Sequence, residues 1–190
     1  MVKVLAFSGS TRRGSLNQAI VECAAQAARN AGAEVTVINL ADYAMPIYNQ
    51  DEEDDYGVPE RAQAFKQLLI EHDAFLIASP EYNSSYPAVL KNAIDWASRK
   101  VGDEAVLAAY KDKVVGLMAA SGGALGGMRV LMVLRMLMQN LMCVVAPQQV
   151  SVARAGEKLD AAGKLCDEPT QKQLAVLAQQ VVSMAEKLKA

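Results

Sequence analysis

Residues 9–17 form a polar segment whose side chains could hold an anion. Ser10, Ser15 and Asn17 offer hydrogen-bond donors, and Arg12 adds a fixed positive charge. An apolar strand pattern comes directly before the segment and an amphipathic helix pattern directly after it. Such a loop collects unpaired backbone N–H groups and the positive end of a helix dipole at one place. We therefore predict a phosphate-binding loop.

Two well-known phosphate motifs do not fit this segment. The dinucleotide motif G-x-G-x-x-G requires a glycine where Thr11 stands, and Asn39 and Leu40 occupy the end of the second strand, where that motif has an acid. The Walker motif fails because no Gly-Lys-Ser follows. A loop rich in hydroxyls that binds a phosphate monoester fits better. An ordinary strand-to-helix turn, with Ser15 as the helix cap, is the alternative.

Two further polar loops follow apolar strand patterns. Residues 79–87 follow the strand pattern at 74–78 and lead into a helix that Pro87 can start. Residues 121–127 follow the pattern at 114–120 and contain four glycines, which let the backbone approach a planar ligand closely. Loops at the carboxyl ends of parallel strands lie at one edge of the sheet. We expect the three loops to be neighbours.

Strand and helix patterns alternate five times along the chain. The predicted strands are residues 2–7, 34–40, 74–78, 114–120 and 141–145. The predicted helices are residues 16–31, 59–72, 88–99, 128–140 and a last helix from residue 167 or 169 to 187. Residues 42–59, with the acidic run 51–55, are expected to form a solvated surface loop. This order predicts an α/β, flavodoxin-like three-layer sandwich: a five-stranded parallel sheet in order 2-1-3-4-5 with helices on both faces.

The composition narrows the class of partner. The chain has 190 residues, 52% of them hydrophobic and 21% charged, which is enough for a single domain spanning residues 1–190. A net charge of −2 gives no basic surface for nucleic acid or for an anionic membrane. We therefore expect small-molecule partners. Because the sequence begins with a strand pattern and has no apolar leader, we also expect a cytoplasmic location.

The sequence supports neither a metal site nor a catalytic triad. Cys23, Cys143 and Cys166 have no C-x-x-C spacing, so neither a disulfide framework nor a zinc site is predicted. His72 is the only histidine, and its place at a predicted helix end is explained by the helix dipole. We predict no metal and neither Ser/His/Asp nor Cys/His catalysis.

The predicted helix at residues 128–140 is apolar nearly all round. Met128, Met132 and Met136 recur every four residues on one side, and valines and leucines occupy the others. A helix of this kind must bury more than one face. We expect one side to cover the sheet and the other to meet a partner subunit.

Three motifs together resemble the NAD(P)H-dependent FMN reductase family. They are Gly9-Ser10-x-Arg12-x-x-Ser15-x-Asn17, Pro80-Glu81-Tyr82-Asn83 followed by Pro87 and Leu90-Lys91-Asn92-Ala93-Ile94-Asp95-Trp96, and Ser121-Gly122-Gly123. The similarity covers residues 1–150. It implies a flavodoxin-like fold, non-covalent FMN, NADPH or NADH as co-substrate, and a homodimer or homotetramer.

The resemblance also implies which residues bind the cofactor. The phosphate-binding positions, with Leu16 in the same loop, are Ser10, Arg12, Ser15, Leu16 and Asn17. The segment that lines the isoalloxazine ring is Pro80, Glu81, Tyr82 and Asn83. The other edge of the ring is lined by Ser121 and Gly122.

These inferences predict an FMN-containing oxidoreductase that passes hydride from NAD(P)H to quinones, free flavin, azo compounds or similar acceptors. The flavin supplies the hydride chemistry, so no catalytic side chain is predicted. One open ring face that takes nicotinamide and then acceptor predicts ping-pong kinetics. Arg99 is a candidate nucleotide contact, and Tyr48 and Tyr82 could flank the ring. The alternatives are a flavodoxin-type electron carrier without its own nicotinamide site and a regulatory protein with a degenerate site.

Overall fold

The computed structural model of the protein describes residues 1–189 and centres on a parallel sheet of five strands. The strands are β1 (Lys3–Ser8), β2 (Glu34–Asn39), β3 (Ala74–Ala78), β4 (Val114–Ala120) and β5 (Val144–Val152). Their order across the sheet is β2-β1-β3-β4-β5, and each neighbouring pair is parallel. The predicted strand order is confirmed.

Helices cover both faces of this sheet. They are α1 (Leu16–Asn30), α2 (Gln50–Tyr56), α3 (Glu60–Glu71), α4 (Ala88–Ser98), α5 (Met128–Asn140) and α6 (Glu168–Lys189). One apolar core lies between the sheet and α1 with α6, and a second lies between the sheet and α3, α4 and α5. This arrangement confirms the three-layer sandwich. None of the helices in residues 1–189 is both long enough and apolar enough to cross a membrane.

Burial on both faces explains the sequence of the central strands. Every residue of β3 and of β4 is buried, and β1 is buried after its first residue. A strand that packs on both sides needs a continuous apolar run rather than an alternating one. The edge strand β2 is only partly buried and carries Thr36 among its valines. The apolar runs were therefore a sound basis for the predicted sheet.

The acidic segment after β2 is partly helical, so the prediction of an irregular loop at residues 42–59 was wrong. A short 3₁₀ helix covers Leu40–Tyr43, and residues 50–56 form α2. Asn49 caps α2 because its side chain accepts a hydrogen bond from the N–H of Asp51 (3.0 Å). Acidic residues in the first turn interact favourably with the helix dipole. The charges that indicated solvent exposure also stabilise a helix start.

Strand β5 lies further along the chain than predicted. The prediction placed it at residues 141–145, whereas the observed strand is Val144–Val152. The preceding residues close α5 instead: Met142 has φ of 64°, and the N–H of Cys143 bonds to the carbonyl of Met138 (3.0 Å). Pro147 lies within β5 at a register irregularity in the pairing with β4. A proline without an N–H is tolerated at such a place.

Gly116 of β4 packs directly against side chains of α6. A Cβ added to this glycine would lie 2.7 Å from Cγ2 of Val181 and 3.0 Å from Cδ2 of Leu76. Both neighbours belong to the buried core. Glycine is therefore required here for close packing between β4 and α6.

We expect Gly116→Ala to lower the free energy of unfolding by about 1–3 kcal/mol, because the added methyl overpacks the core. Gly156→Ala is the matched control. No atom lies within 4 Å of a Cβ added at Gly156, so its effect should stay within about 0.5 kcal/mol. Urea denaturation followed by circular dichroism measures both. Equal stability of the two variants would show that α6 moves away from the sheet at no cost.

Candidate functional site

The three predicted loops meet at the carboxyl ends of β1, β3 and β4. They enclose an open cavity of about 160 Å³. It is lined by Ser10, Arg12, Ser15, Leu16, Asn17, Pro80, Glu81, Tyr82, Ala120 and Ser121. All the predicted site residues except Asn83 and Gly122 are among them. Ala120 was missed, although its position as the last residue of β4 could have indicated it.

The loop between β1 and α1 has hydroxyl groups positioned to donate into the cavity. Oγ of Ser15 accepts a hydrogen bond from the N–H of Gln18 (3.3 Å) and so caps α1. Oγ of Ser10 accepts one from the N–H of Arg12 (3.3 Å). Each hydroxyl oxygen thus accepts a backbone N–H through one of its lone pairs, and its own O–H remains available to donate to a ligand. Together with the N-terminus of α1, these groups suit an anion.

Arg12 supplies the positive charge of this loop. Its guanidinium is exposed, and its one hydrogen bond is a long one, 3.4 Å, to the carbonyl of Arg13. None of the salt bridges formed within residues 1–189 includes Arg12. A planar, positively charged guanidinium beside hydroxyls and helix N–H groups is well suited to bind a phosphate.

Asn17 ties the first loop to the third. Its Nδ2 donates to the carbonyl of Ala120 (2.9 Å), and its Oδ1 accepts from the N–H of the same residue (2.9 Å). The side chain is buried, so both polar atoms are satisfied by the end of β4. Asn17 was predicted as a phosphate contact, and the structure gives it a structural role at the cavity as well.

A tight turn shapes the loop after β3. The N–H of Tyr82 donates to the carbonyl of Ser85 (2.9 Å), and the return hydrogen bond is 3.0 Å. Asn83 and Ser84 between them both have positive φ, of 51° and 66°. That combination is a type I′ turn. Among residues 1–189, no acceptor takes the N–H of Glu81, Asn83, Ser84 or Tyr86. Of these four residues only Glu81 lines the cavity, so its N–H is the backbone donor that this loop has left for a ligand there.

Glu81 lines the cavity while its carboxylate bonds to the first turn of α5. Arg129, which sequence reasoning missed, pairs with it. Burial alone would raise the pKa of Glu81, but hydrogen bonds from Arg129 and from the N–H of Val130 outweigh burial and hold that pKa below its usual value. The side chain is therefore a fixed negative charge with four donors around it.

The third loop is fastened to the segment that follows β5. The N–H of Ser121 donates to the carbonyl of Val152 (3.2 Å), and the carbonyl of Ser121 accepts from Ala155 (2.9 Å). Oγ of Ser121 accepts the N–H of Gly123 (3.3 Å). Gly122 remains exposed beside this fixed frame.

Arg99, predicted as a nucleotide contact, is engaged elsewhere. Its Nε donates to both carboxylate oxygens of Glu53 (2.9 and 2.7 Å), and its guanidinium lies 5.4 Å from the ring centre of Tyr48. That ring also packs edge-on against Trp96 at 4.9 Å. The hydrogen bond with Arg99 lowers the pKa of Glu53. This cluster fastens α2 to the end of α4, so Glu53 is more than a solvated charge of the acidic run.

The described residues provide no cluster of metal ligands. Within residues 1–189, no three His, Cys, Asp or Glu side chains are arranged to hold a metal ion. His72 bonds through Nδ1 to the carbonyl of Leu68 (2.7 Å) and through Nε2 to Oγ1 of Thr36 (2.9 Å). It joins the end of α3 to β2 and lies outside the cavity lining.

Comparison with known proteins gives the family. Residues 2–157 match the family described as NADPH-dependent FMN reductase. The chain is 32% identical over 194 residues to an NAD(P)H:quinone oxidoreductase of Solanum tuberosum, covering 100% of this chain and 95% of that protein. It is 34% identical over 174 residues to a 2-hydroxy-1,4-benzoquinone reductase of a Burkholderia species, covering 91% and 90%.

A solved structure supports the same assignment. The flavoenzyme NAD(P)H:(acceptor) oxidoreductase of Paracoccus denitrificans has a TM-score of 0.79, with 30% identity over 98% of both chains. Together with the cavity and its three loops, these matches show that the chain belongs to the NADPH-dependent FMN reductase family and is an NAD(P)H-dependent oxidoreductase with FMN as its cofactor.

Proposed function

We propose that this enzyme passes electrons from NADPH or NADH through bound FMN to quinones, free flavin, azo compounds or similar acceptors in a ping-pong cycle. Quinones are the acceptors named for the Solanum and Burkholderia relatives. The observation that carries the proposal is the convergence of hydroxyls, a charged arginine, a helix N-terminus and the free N–H of Glu81 on one cavity.

The residues present fit FMN. Ser10, Arg12 and Ser15 would hold the phosphate at the start of α1, where hydroxyl O–H groups and a positive charge converge. Residues 80–83 would lie against the isoalloxazine ring, with residues 121–122 at its other edge. When bound, FMN accepts a hydride from the nicotinamide and passes electrons to the second substrate.

The protein's own part is to position the ring and stabilise charge. The N–H of Glu81 is held by the neighbouring turn, so it is in place before any charge develops nearby. No general acid or base is needed, because the flavin carries the chemistry.

The open form of the cavity favours alternating use of one face. The cavity of about 160 Å³ shares Ser10, Arg12 and Ser15 with a neighbouring open cavity of about 280 Å³. A ligand held in such an open site would keep one face uncovered. One uncovered face can take nicotinamide and then acceptor but not both, and this supports the ping-pong cycle.

A homodimer or homotetramer is part of the proposal. Met128, Met132 and Met136 lie on the outer face of α5 and are 49%, 68% and 56% exposed. The opposite face of α5 is buried against the sheet. A row of exposed methionines on one helix is typical of a surface that a second chain covers. Tyr82, which is 56% exposed, lies on the cavity loop that Glu81 joins to this helix.

A cytoplasmic location completes the proposal. Cys23, Cys143 and Cys166 are all free thiols. Thiols stay reduced in the cytoplasm, where disulfides are rare.

Replacing Arg12 or Ser15 by alanine should weaken FMN binding by about 1–3 kcal/mol each, as expected for hydrogen bonds to a charged group. Arg61→Ala is the matched control because Arg61 is an exposed arginine of α3 and lines no cavity formed by residues 9–17. Titration of flavin fluorescence measures the affinities. Unchanged affinity in both test variants would place the phosphate elsewhere.

Steady-state kinetics should give parallel lines in double-reciprocal plots when NADPH or NADH is varied at several quinone concentrations. The reason is that one ring face serves both substrates in turn. Protein that binds FMN but turns over with neither nucleotide would instead be a flavodoxin-type carrier. Intersecting lines would exclude the ping-pong cycle while leaving the reductase assignment intact.

A further inference from the structure

The carboxylate of Glu81 makes contacts that belong to a helix far away in the sequence. Its Oε2 accepts the backbone N–H groups of Arg129 (3.0 Å) and Val130 (3.1 Å) at the start of α5. Its Oε1 accepts Nε of Arg129 (2.6 Å), and a second guanidinium nitrogen completes the ion pair. The side chain is only 6% exposed. Glu81 therefore caps α5 from the loop after β3.

Helix α5 needs an external cap because its own capping residue cannot provide one. Gly127 occupies the cap position with φ of 83°. A Cβ added there would lie 2.7 Å from Cβ of Ala119. Serine, threonine, aspartate and asparagine, the usual caps, are thus excluded by the backbone conformation and by the lack of space. The carboxylate of Glu81 satisfies the N–H groups that such a cap would have bound.

The capping contact fixes the piece of backbone that faces the cavity. On one side of Glu81, Oγ of Ser79 donates to the carbonyl of Pro80 (2.9 Å). On the other side, the paired hydrogen bonds between Tyr82 and Ser85 close the turn. Glu81 lies between these two anchors, and its side chain is the third. With all three in place, the free N–H of Glu81 has one defined direction.

We propose that Glu81 is a positioning residue: by capping α5, it sets the N–H of residue 81 against the flavin ring and so sets FMN affinity and the reduction potential of bound FMN. The proposal rests on the proposed function, because it takes the ring to lie against residues 80–83. It concerns the capping contact rather than the ion pair. The side chain of Arg129 is 54% exposed, and without it the carboxylate of Glu81 still accepts the two backbone N–H groups of α5.

Four variants separate the cap from the charge. Glu81→Asp keeps the charge but shortens the reach toward α5. Glu81→Gln keeps a carbonyl oxygen that can accept both N–H groups but removes the charge. Glu81→Ala removes charge and cap together. Arg129→Met removes the ion pair and leaves the backbone N–H groups in place.

The measurements are the dissociation constant for FMN, the midpoint potential of bound FMN against a reference dye, and the thermal unfolding of flavin-free protein. Glu81→Asp and Glu81→Ala should each lose about tenfold in FMN affinity, as expected when the loop no longer holds a backbone N–H donor against the ring. Glu81→Gln and Arg129→Met should stay within about threefold of the unmodified protein.

The midpoint potential provides the sharper comparison, because it is made between proteins of equal charge. The reduced ring is richer in electrons and gains more from the N–H donor of residue 81 than the oxidised ring does. A tenfold loss of this preference lowers the potential of Glu81→Ala below that of Glu81→Gln by about 30 mV for a two-electron couple. The midpoint potential of Glu81→Asp should likewise be lower than that of the unmodified protein. If Glu81→Ala does not fold, the comparison of Glu81→Asp with the unmodified protein decides the question.

The proposal would be overturned if FMN affinity were unchanged and the midpoint potentials were equal within both pairs, Glu81→Ala with Glu81→Gln and Glu81→Asp with the unmodified protein. Glu81 would then be a structural cap only, whatever the unfolding temperatures show. Failure of the unmodified protein to bind FMN would refute the proposed function instead. The two results are distinguishable, because the second is read before any variant is made.

Discussion

The double hydrogen bond between Asn17 and the backbone of Ala120 is the contact on which the site depends. It joins the first residues of α1 to the last residue of β4, across a sheet position occupied by β3. At the end of a strand, the neighbouring strand no longer provides hydrogen-bond partners. Buried N–H and carbonyl groups there must therefore bond to other groups. A side chain with one donor and one acceptor meets both needs. The hydroxyls of the first loop and the backbone of the third are held together as a result.

Much of the fold follows from sequence alone, for a simple reason. Strands buried on both faces must be apolar throughout, and this condition leaves clear runs such as residues 74–78 and 114–120. Once the strands are parallel, their carboxyl ends share an edge, and the polar loops that follow must be neighbours. The convergence of Ser10, Pro80 and Ser121 was therefore predictable without coordinates.

The remaining features depend on contacts between distant segments, which one sequence does not reveal. Glu81 and Arg129 are separated by 48 positions, and Arg99 and Glu53 by 46. An acidic run is usually solvated, and nothing local distinguishes Glu53, which has a partner on α4, from its exposed neighbours. The α2 helix was missed because its composition, rich in acids and close to proline and glycine, is equally typical of a loop. What decides between the two is the cap at Asn49.

The link between the cavity loop and α5 has a thermodynamic consequence. The same helix presents a row of exposed methionines on its outer face. Two binding events that favour one position of a shared element are coupled, and the coupling is reciprocal. If a second chain covers the methionine face and FMN affinity depends on the Glu81 cap, as proposed, both binding events act on α5, one directly and the other through Glu81. Each would then change the equilibrium constant of the other by the same factor, and subunit concentration and cofactor concentration would be interdependent variables for this enzyme.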